Sequence, residues 1–404
     1  MRFNPFEPSF LIDPYPTYAK MHTEGAVHLG TPPMPEFPEC WYVSGYYESI
    51  EILKSDLFVH DRSKVSHAKP LANFSGEPLK FWQQVAEWPL FLDAPEHTQK
   101  RLMVASFFRA IPILKLEKAI TDIANELLDH ALLNDTFDAM WDFAYPLTLR
   151  IICQILGSKT PDIPWFKNCT KELANTLDFR NQPHNYQPSL SAVSELNRFI
   201  YQQMLSRNEI GGHTLFKHLL GSERLDNEID VALISLFLQI LFAGQETASD
   251  SIGNGLLLLR KKPDLIPEFT KSQLIPNNLI SEMLRHDTSI QFSGIRTAIE
   301  DFDVGCVKIH EGDSVVIALG ACNHDPKRFQ QPDRFDIKRD FTGPELAFGH
   351  GIHYCLGVHL AKLEMRIAFE TLLRRLPITW HIKDVDMRKN LLFRGPRSLT
   401  IQLK

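Results

Sequence analysis

Cys355 stands in Phe348-Gly349-His350-Gly351-Ile352-His353-Tyr354-Cys355-Leu356-Gly357, a glycine-hinged loop that opens into a helical repeat. Leu360, Leu363, Ile367 and Leu372 recur at helical spacing and Pro377 marks the stop, so the cysteine lies at a helix N-terminus. Gly349 and Gly351 permit turns and close approaches that a Cβ forbids, and Gly357 lets a flat ring system rest on the first helical turn. Unpaired amides and the positive end of the helix dipole are expected to favour the charged sulfur over the thiol. Such a thiolate suits a haem iron. On the residues alone two other uses stay open: a buried structural thiol, or a zinc site with His350 and His353, for which no fourth ligand is evident.

A second chemical pattern, Ala243-Gly244-Gln245-Glu246-Thr247, interrupts the most apolar helical stretch of the chain. Glycine inside a helix costs about 1 kcal/mol relative to alanine, and an acid in apolar surroundings must find a partner or shift its pKa. The pattern predicts a local widening or kink with the Thr247 hydroxyl offered to a small ligand such as dioxygen. The competing expectation is a threonine bonded to the carbonyl four residues back and a glutamate on a solvated face. Gln239 and Ala243 share a face one turn earlier and are expected to look into a substrate cavity.

Phe348, Gly351, Cys355 and Gly357 match F-x-x-G-x-x-x-C-x-G, and with this loop the chain resembles the cytochrome P450 haem-thiolate monooxygenases of soluble bacterial type. The resemblance runs from Asp13-Pro14-Tyr15 to the Gly395 turn. It implies that Cys355 is the axial ligand of haem b (iron protoporphyrin IX), with Phe348, Gly349 and Gly357 around it and Ala243 and Gly244 on the opposite side. Ala243, Gly244, Glu246 and Thr247 match A/G-G-x-D/E-T, which implies that Glu246 and Thr247 deliver protons to the dioxygen being activated. His97 and Arg101 in Asp93-Ala94-Pro95-Glu96-His97-Thr98-Gln99-Lys100-Arg101, together with Arg296 and His353, match the donors that bind haem propionates. Glu282, Arg285 and Arg334 match the E-x-x-R and P-x-R-F residues of a structural cluster behind the haem. Residues 66–91 and 161–224 correspond to the substrate lid, and the loops of Phe292 and Phe393 approach the cavity. Aromatic residues Phe74, Phe81, Trp82, Trp88 and Phe91 precede Asp93. Departures are Ala94 for a common second proline, and His324 and Lys362 for frequent arginines.

The implied reaction inserts one oxygen atom from dioxygen into a largely apolar small molecule such as a polyketide, terpene or fatty-acyl compound. The alternatives are a peroxide-using or isomerising haem-thiolate enzyme, and a non-catalytic metal- or haem-binding protein. Because no flavin or iron–sulfur module is evident, electrons are expected from a ferredoxin or flavodoxin with its reductase. That carrier would be attracted by Lys100, Arg109, Lys115, Lys118, Lys362 and Arg366.

The elements that must position these residues are mostly helical. Periods of 3.6 mark helices near 45–56, 97–132, 140–157, 190–206, 228–260, 277–286 and 356–376, with strands confined to 305–317 and 391–403. The expected fold is mainly α with small β-sheets, the cytochrome P450 fold, with haem between the oxygen-activating helix and the cysteine-loop helix. With 404 residues, 44% of them hydrophobic, and no linker or repeat, the chain reads as one domain over 1–404. A net charge of −6 gives no basis for nucleic-acid binding. Six cysteines without paired spacing point to a reducing cytoplasm. The proline-broken N-terminus and the short apolar run Val231 to Ala243 argue against a membrane anchor, and a monomer is expected.

Overall fold

The computed structural model describes residues 2–32, 39–61, 76–178, 186–209, 211–220, 231–272 and 275–404. The apolar stretch that contains the Ala243 pentad becomes the central helix, Val231–Arg260, of which Val231 to Ala243 is only the first half. By length and composition this helix could cross a bilayer. Instead its side chains from Leu233 to Leu259 are mostly buried in protein. It packs against Tyr145–Leu156, Gln187–Leu205 and the C-terminal helix Val358–Arg375. Two glycines make these crossings possible. A Cβ on Gly253 would lie 2.5 Å from Pro396, and one on Gly255 2.4 Å from Phe369.

The segment expected as one helix over 97–132 is three: Glu96–Ala105, Ala110–Leu114 and Glu117–Ala131. Arg109 is extended (φ −68°, ψ 156°), and Pro112 lacks the N–H that would bond the carbonyl of residue 108. Helices Tyr15–Glu24, Glu77–Val85 and Ile163–Leu177 escape the periodicity analysis. Each has a proline in second position, where the missing N–H is one that no helix uses.

Strands are short and form three sheets. The largest has the order β1-β2-β8-β5-β3, from Val27–Gly30, Cys40–Val43, Ser314–Ile317, Arg296–Ala298 and Phe58–Val59. Its β2–β8 pair is parallel, with Cys40 opposite Ser314. β4 (Thr136–Asp138), β10 (Pro396–Gln402) and β9 (His381–Met387) form the second, and β6 (Phe302–Val304) with β7 (Val307–Ile309) a hairpin. Of the two expected strand regions, 305–317 holds β7 and β8. Region 391–403 holds β10 alone, whose partners come from 381–387 and 136–138.

On Asn277–His286, Arg285 donates to both oxygens of Glu282 at 2.7 and 2.8 Å, and both side chains are fully buried. The third member is not Arg334, as expected, but Arg339, whose Nε lies 3.1 Å from Glu282 Oε2. Arg334 is turned outward, its side chain 64% exposed, and contributes its carbonyl oxygen to Arg339 at 2.9 Å. The tight turn at Gln331 (φ 47°) carries the chain so that the second arginine, not the first, reaches inward. His324 also forms part of this region. Its Nδ1 lies 3.1 Å from Asp333 Oδ1 and its Nε2 3.0 Å from the His286 carbonyl. Removing Glu282 leaves two buried guanidinium groups uncompensated. Glu282→Ala is expected to cost about 3–5 kcal/mol, measured by urea unfolding, whereas Arg334→Ala should change stability by less than about 1 kcal/mol.

Candidate active site

The cysteine loop is built on positive backbone angles. Gly349 (φ 66°) and Gly351 (φ 72°) lie in the left-handed region, and a Cβ on Gly351 would fall 2.0 Å from the Leu53 carbonyl oxygen. The loop closes when Cys355 N–H donates to Phe348 O at 3.0 Å, and the helix begins at Val358. Gly357 leaves the sulfur open: a Cβ there would sit 4.0 Å from Cys355 Sγ. The sulfur is not, however, an anion by virtue of its helix alone. Burial pushes the Cys355 thiol up, and the Gly357 amide and Arg101 only partly oppose it. Among the described residues no three His, Cys, Asp or Glu side chains are placed to hold a metal ion, so the zinc alternative falls away.

A wall of nitrogen donors stands beside this loop. His97 and Arg101 project from Glu96–Ala105, and Arg101 Nη2 donates to the carbonyl of Tyr354, next to the cysteine. The His97 and His353 rings are 4.3 Å apart. Among the described residues Arg296, on β5, is buried with no partner for Nη1, and His97 Nδ1 is buried without one as well. Burial pushes Arg296 down to about 10 and His353 to about 3, the latter with help from Arg296. The imidazoles are therefore neutral donors beside two guanidiniums, a set suited to carboxylates. The structure adds His60, which nothing in the sequence marked. Its ring is 4.9 Å from that of His353 and its Nδ1 2.9 Å from the Ile295 carbonyl.

The central helix supplies the facing surface. Ala243 is exposed and Gly244 and Thr247 are half-buried, while Gln245, Glu246, Ala248, Ser249 and Asp250 are buried. This open stripe on an otherwise enclosed helix is where a flat group can lie. The expected widening is absent: the helix is regular through the pentad, Thr247 Oγ1 donates to the Ala243 carbonyl at 3.0 Å, and Gly244 makes room for Ile152, 3.0 Å from where its Cβ would be.

Glu246 does not lie on the open stripe and is not solvated. Its Oε1 accepts from Lys167 Nζ at 2.7 Å and Thr170 Oγ1 at 2.6 Å, and its Oε2 from Arg388 Nη2 at 2.8 Å. Burial pushes this carboxyl up, but Lys167 and Arg388 prevail and hold it down at about 2.

Gln239, half-buried, lies one turn before Ala243 with its Oε1 unpartnered, and Phe242 packs 5.9 Å from both Trp88 and Phe393. Trp82 and Phe91 are partly exposed beside them, Phe81 and Trp88 are buried, and Phe74 lies outside the described residues. Phe292 is not a cavity residue. It is 1% exposed among Phe3, Phe10 and Tyr42, at ring distances of 6.0–6.3 Å, because the N-terminal segment folds over its loop.

A family model described as Cytochrome P450 matches residues 274–402. Cytochrome P450 monooxygenase PikC of Streptomyces venezuelae is 31% identical over 376 residues, 91% of this chain and 85% of PikC. The 6-deoxyerythronolide B hydroxylase of Saccharopolyspora erythraea is 31% identical over 98% of this chain and 97% of its own. The crystal structure of P450BioI in complex with hexadec-9Z-enoic acid ligated acyl carrier protein superimposes with a TM-score of 0.87 at 28% identity, over 98% of this chain and 99% of the other. The cysteine loop, the donor wall and the open helix stripe accommodate a haem iron, and the chain belongs to the cytochrome P450 family as a haem-dependent monooxygenase.

Proposed function

We propose that this chain hydroxylates or epoxidises a largely apolar organic molecule, using haem b held between Cys355 and the stripe of Ala243, Gly244 and Thr247. The observation that carries the assignment is the pair of buried, unpartnered donors, His97 Nδ1 and Arg296 Nη1, beside the cysteine loop. Unpaired buried donors are costly unless a ligand completes them, and the propionates of haem would do so together with Arg101 and His353. Bound there, haem supplies the activation of dioxygen, with electron density pushed from the thiolate. Phe348 fixes the cysteine's backbone through its carbonyl, and Gly349 and Gly357 add no side chain beside the sulfur. Thr247 can turn its hydroxyl from the Ala243 carbonyl towards the cavity and orient a proton there, and Glu246, held as a carboxylate, would serve as a relay that takes up a proton before passing it on. We take the chain as one cytoplasmic domain over 1–404, because the cysteine loop and its donors draw on positions 97 to 355.

Carbon monoxide added to the reduced protein should give the strongly red-shifted Soret band of thiolate ligation, and Cys355→Ser should abolish it. A histidine-type spectrum would remove Cys355 as ligand. Thr247→Ala should keep that band while diverting reducing equivalents from product to hydrogen peroxide; product yield per electron pair unchanged from wild type would show that the hydroxyl takes no part.

The partly exposed Trp82 and Phe91, backed by the buried pair Phe242 and Phe393, would give a cavity beside the open stripe an aromatic wall, and Gln239 would add one amide. Such a wall selects extended apolar compounds with few polar contacts. A macrolide-sized lactone, as in the name of the Saccharopolyspora relative, and a fatty-acyl chain, as in the P450BioI complex, are the two classes to screen by the spin-state shift they cause.

Family members use a redox partner. The cations expected to attract it are largely engaged: Lys100 pairs with Glu87, Lys118 with Asp122, Lys362 with Glu345 and Arg366 with Glu117 and Glu370. Beside the exposed Arg109 and Lys115 lie Leu102 (68% exposed), Ile111 (73%) and Leu114 (55%), and Ile352 (53%) lies in the cysteine loop. An apolar patch with a basic rim fits a small acidic ferredoxin or flavodoxin held mainly by its apolar contacts. Ile111→Asp with Leu114→Asp should slow reduction about tenfold. Raising ionic strength through about 0.1 M should slow it less. A rate set by salt and indifferent to both substitutions would move the docking site elsewhere.

A further inference from the structure

Asp250 lies one helical turn beyond Glu246 on the central helix, fully buried, and the activity proposed above makes no use of it. Its Oδ1 accepts from Arg388 Nη2 at 3.2 Å, and that same nitrogen donates to Glu246 Oε2 at 2.8 Å. One guanidinium nitrogen thus serves two carboxylates, while Asp250 Oδ2 and Arg388 Nε have no partner among the described residues. The charged and titratable groups around Asp250 are Arg388, Glu246, Lys167 and Tyr145. Tyr145 is a neutral phenol, its ring 3.8 Å from Lys167 Nζ. The backbone of Gly395 closes the remaining side: a Cβ there would lie 2.5 Å from Asp250 Cβ. Asp250 therefore has no route to solvent by a change of rotamer, and its charge must be answered inside the cluster.

The balance of charge depends on this one residue. With both carboxylates ionised, Lys167 and Arg388 neutralise Glu246 and Asp250 pair for pair. With a proton on Asp250, the two cations act on Glu246 alone. To reach the open stripe and Thr247, Glu246 must leave Lys167, Thr170 and Arg388.

We propose that Asp250 is a positioning residue for proton delivery: ionised, it keeps part of the hold of Arg388 for itself and loosens Glu246, and protonated, it leaves Glu246 locked away from the cavity. The inference rests on the assignment of Glu246 to proton supply. The change lies in an accessible range, because burial pushes the Asp250 carboxyl up to about 6, with Arg388 opposing and Glu246 reinforcing.

The test is the coupling ratio, product formed per electron pair consumed, measured on the haem-loaded enzyme with its redox chain from about pH 5 to about pH 8. In the wild type the ratio should rise through about pH 6, where Asp250 loses its proton. Asp250→Asn, with an unchanged carbon monoxide spectrum, should lose that step and stay at the low-pH ratio throughout. An Asp250→Asn profile that superimposes on the wild type overturns the proposal. Should that variant not fold, a wild-type ratio flat across the range overturns it equally. Glu246→Gln separates the two levels of the argument: a fully coupled Glu246→Gln enzyme removes the assignment of Glu246 itself, whereas an uncoupled one with a normal Asp250→Asn profile removes only the role of Asp250.

Discussion

The cost of charging the Cys355 sulfur inside its glycine-built loop is the constraint around which the candidate site is arranged. Enclosure favours the neutral thiol of Cys355, and the protein's own contributions, the Gly357 amide and the Arg101 guanidinium, do not cancel that preference. The haem iron that the family implies would add the positive charge that favours the thiolate. What the fold can do is present the sulfur in one place without steric cover, and this explains the local backbone. Gly351 is pressed against the Leu53 carbonyl, Gly349 turns the chain back, and Gly357 leaves the sulfur side bare. Gly351 excludes a side chain by contact and Gly349 by its backbone angle, so the loop is specified at both glycines before the cysteine.

The same logic sorts the charges around it. Arginines on the structural side are satisfied within the protein: Arg285 and Arg339 share Glu282 in a fully enclosed cluster. Arginines and imidazoles on the cavity side are left with buried donors unmatched, at His97 and Arg296. An unmet buried donor costs about 1–3 kcal/mol, so a ligand that completed His97 and Arg296 would gain from both.

The cysteine loop and the pentad stand out in the sequence as short local motifs, and the resemblance named His97, Arg101, Arg296 and His353, which the structure brings to the same side of that loop. What was not legible depends on tertiary direction. The P-x-R-F match names Arg334, and only the fold past the turn at Gln331 brings Arg339 to Glu282 in its place. Phe292 sits in a loop expected at the cavity, yet the N-terminal aromatics Phe3 and Phe10 claim it for a separate core. His60 follows a two-residue strand with no pattern of its own. The helix breaks near Arg109 show the same limit, since a continuous apolar period cannot report where the buried face rotates.

Glu246 and Thr247 illustrate how a correct motif can still mislead about geometry. Adjacent residues on a helix are turned by about 100° from one another, so an acid and an alcohol in sequence cannot share a face. Thr247 lies on the open stripe. Glu246 points instead towards Lys167 on Ile163–Leu177 and Arg388 beyond β9. Its charge is thus tied to two elements that do not form the cysteine site. Any displacement of Ile163–Leu177 relative to the central helix changes the field on that carboxylate, which couples the outer packing of the molecule to the acid beside Thr247. The buried ion cluster is weak as a source of stability, because its desolvation offsets much of its attraction. Its value lies in being breakable at one side while the helix that carries it stays intact.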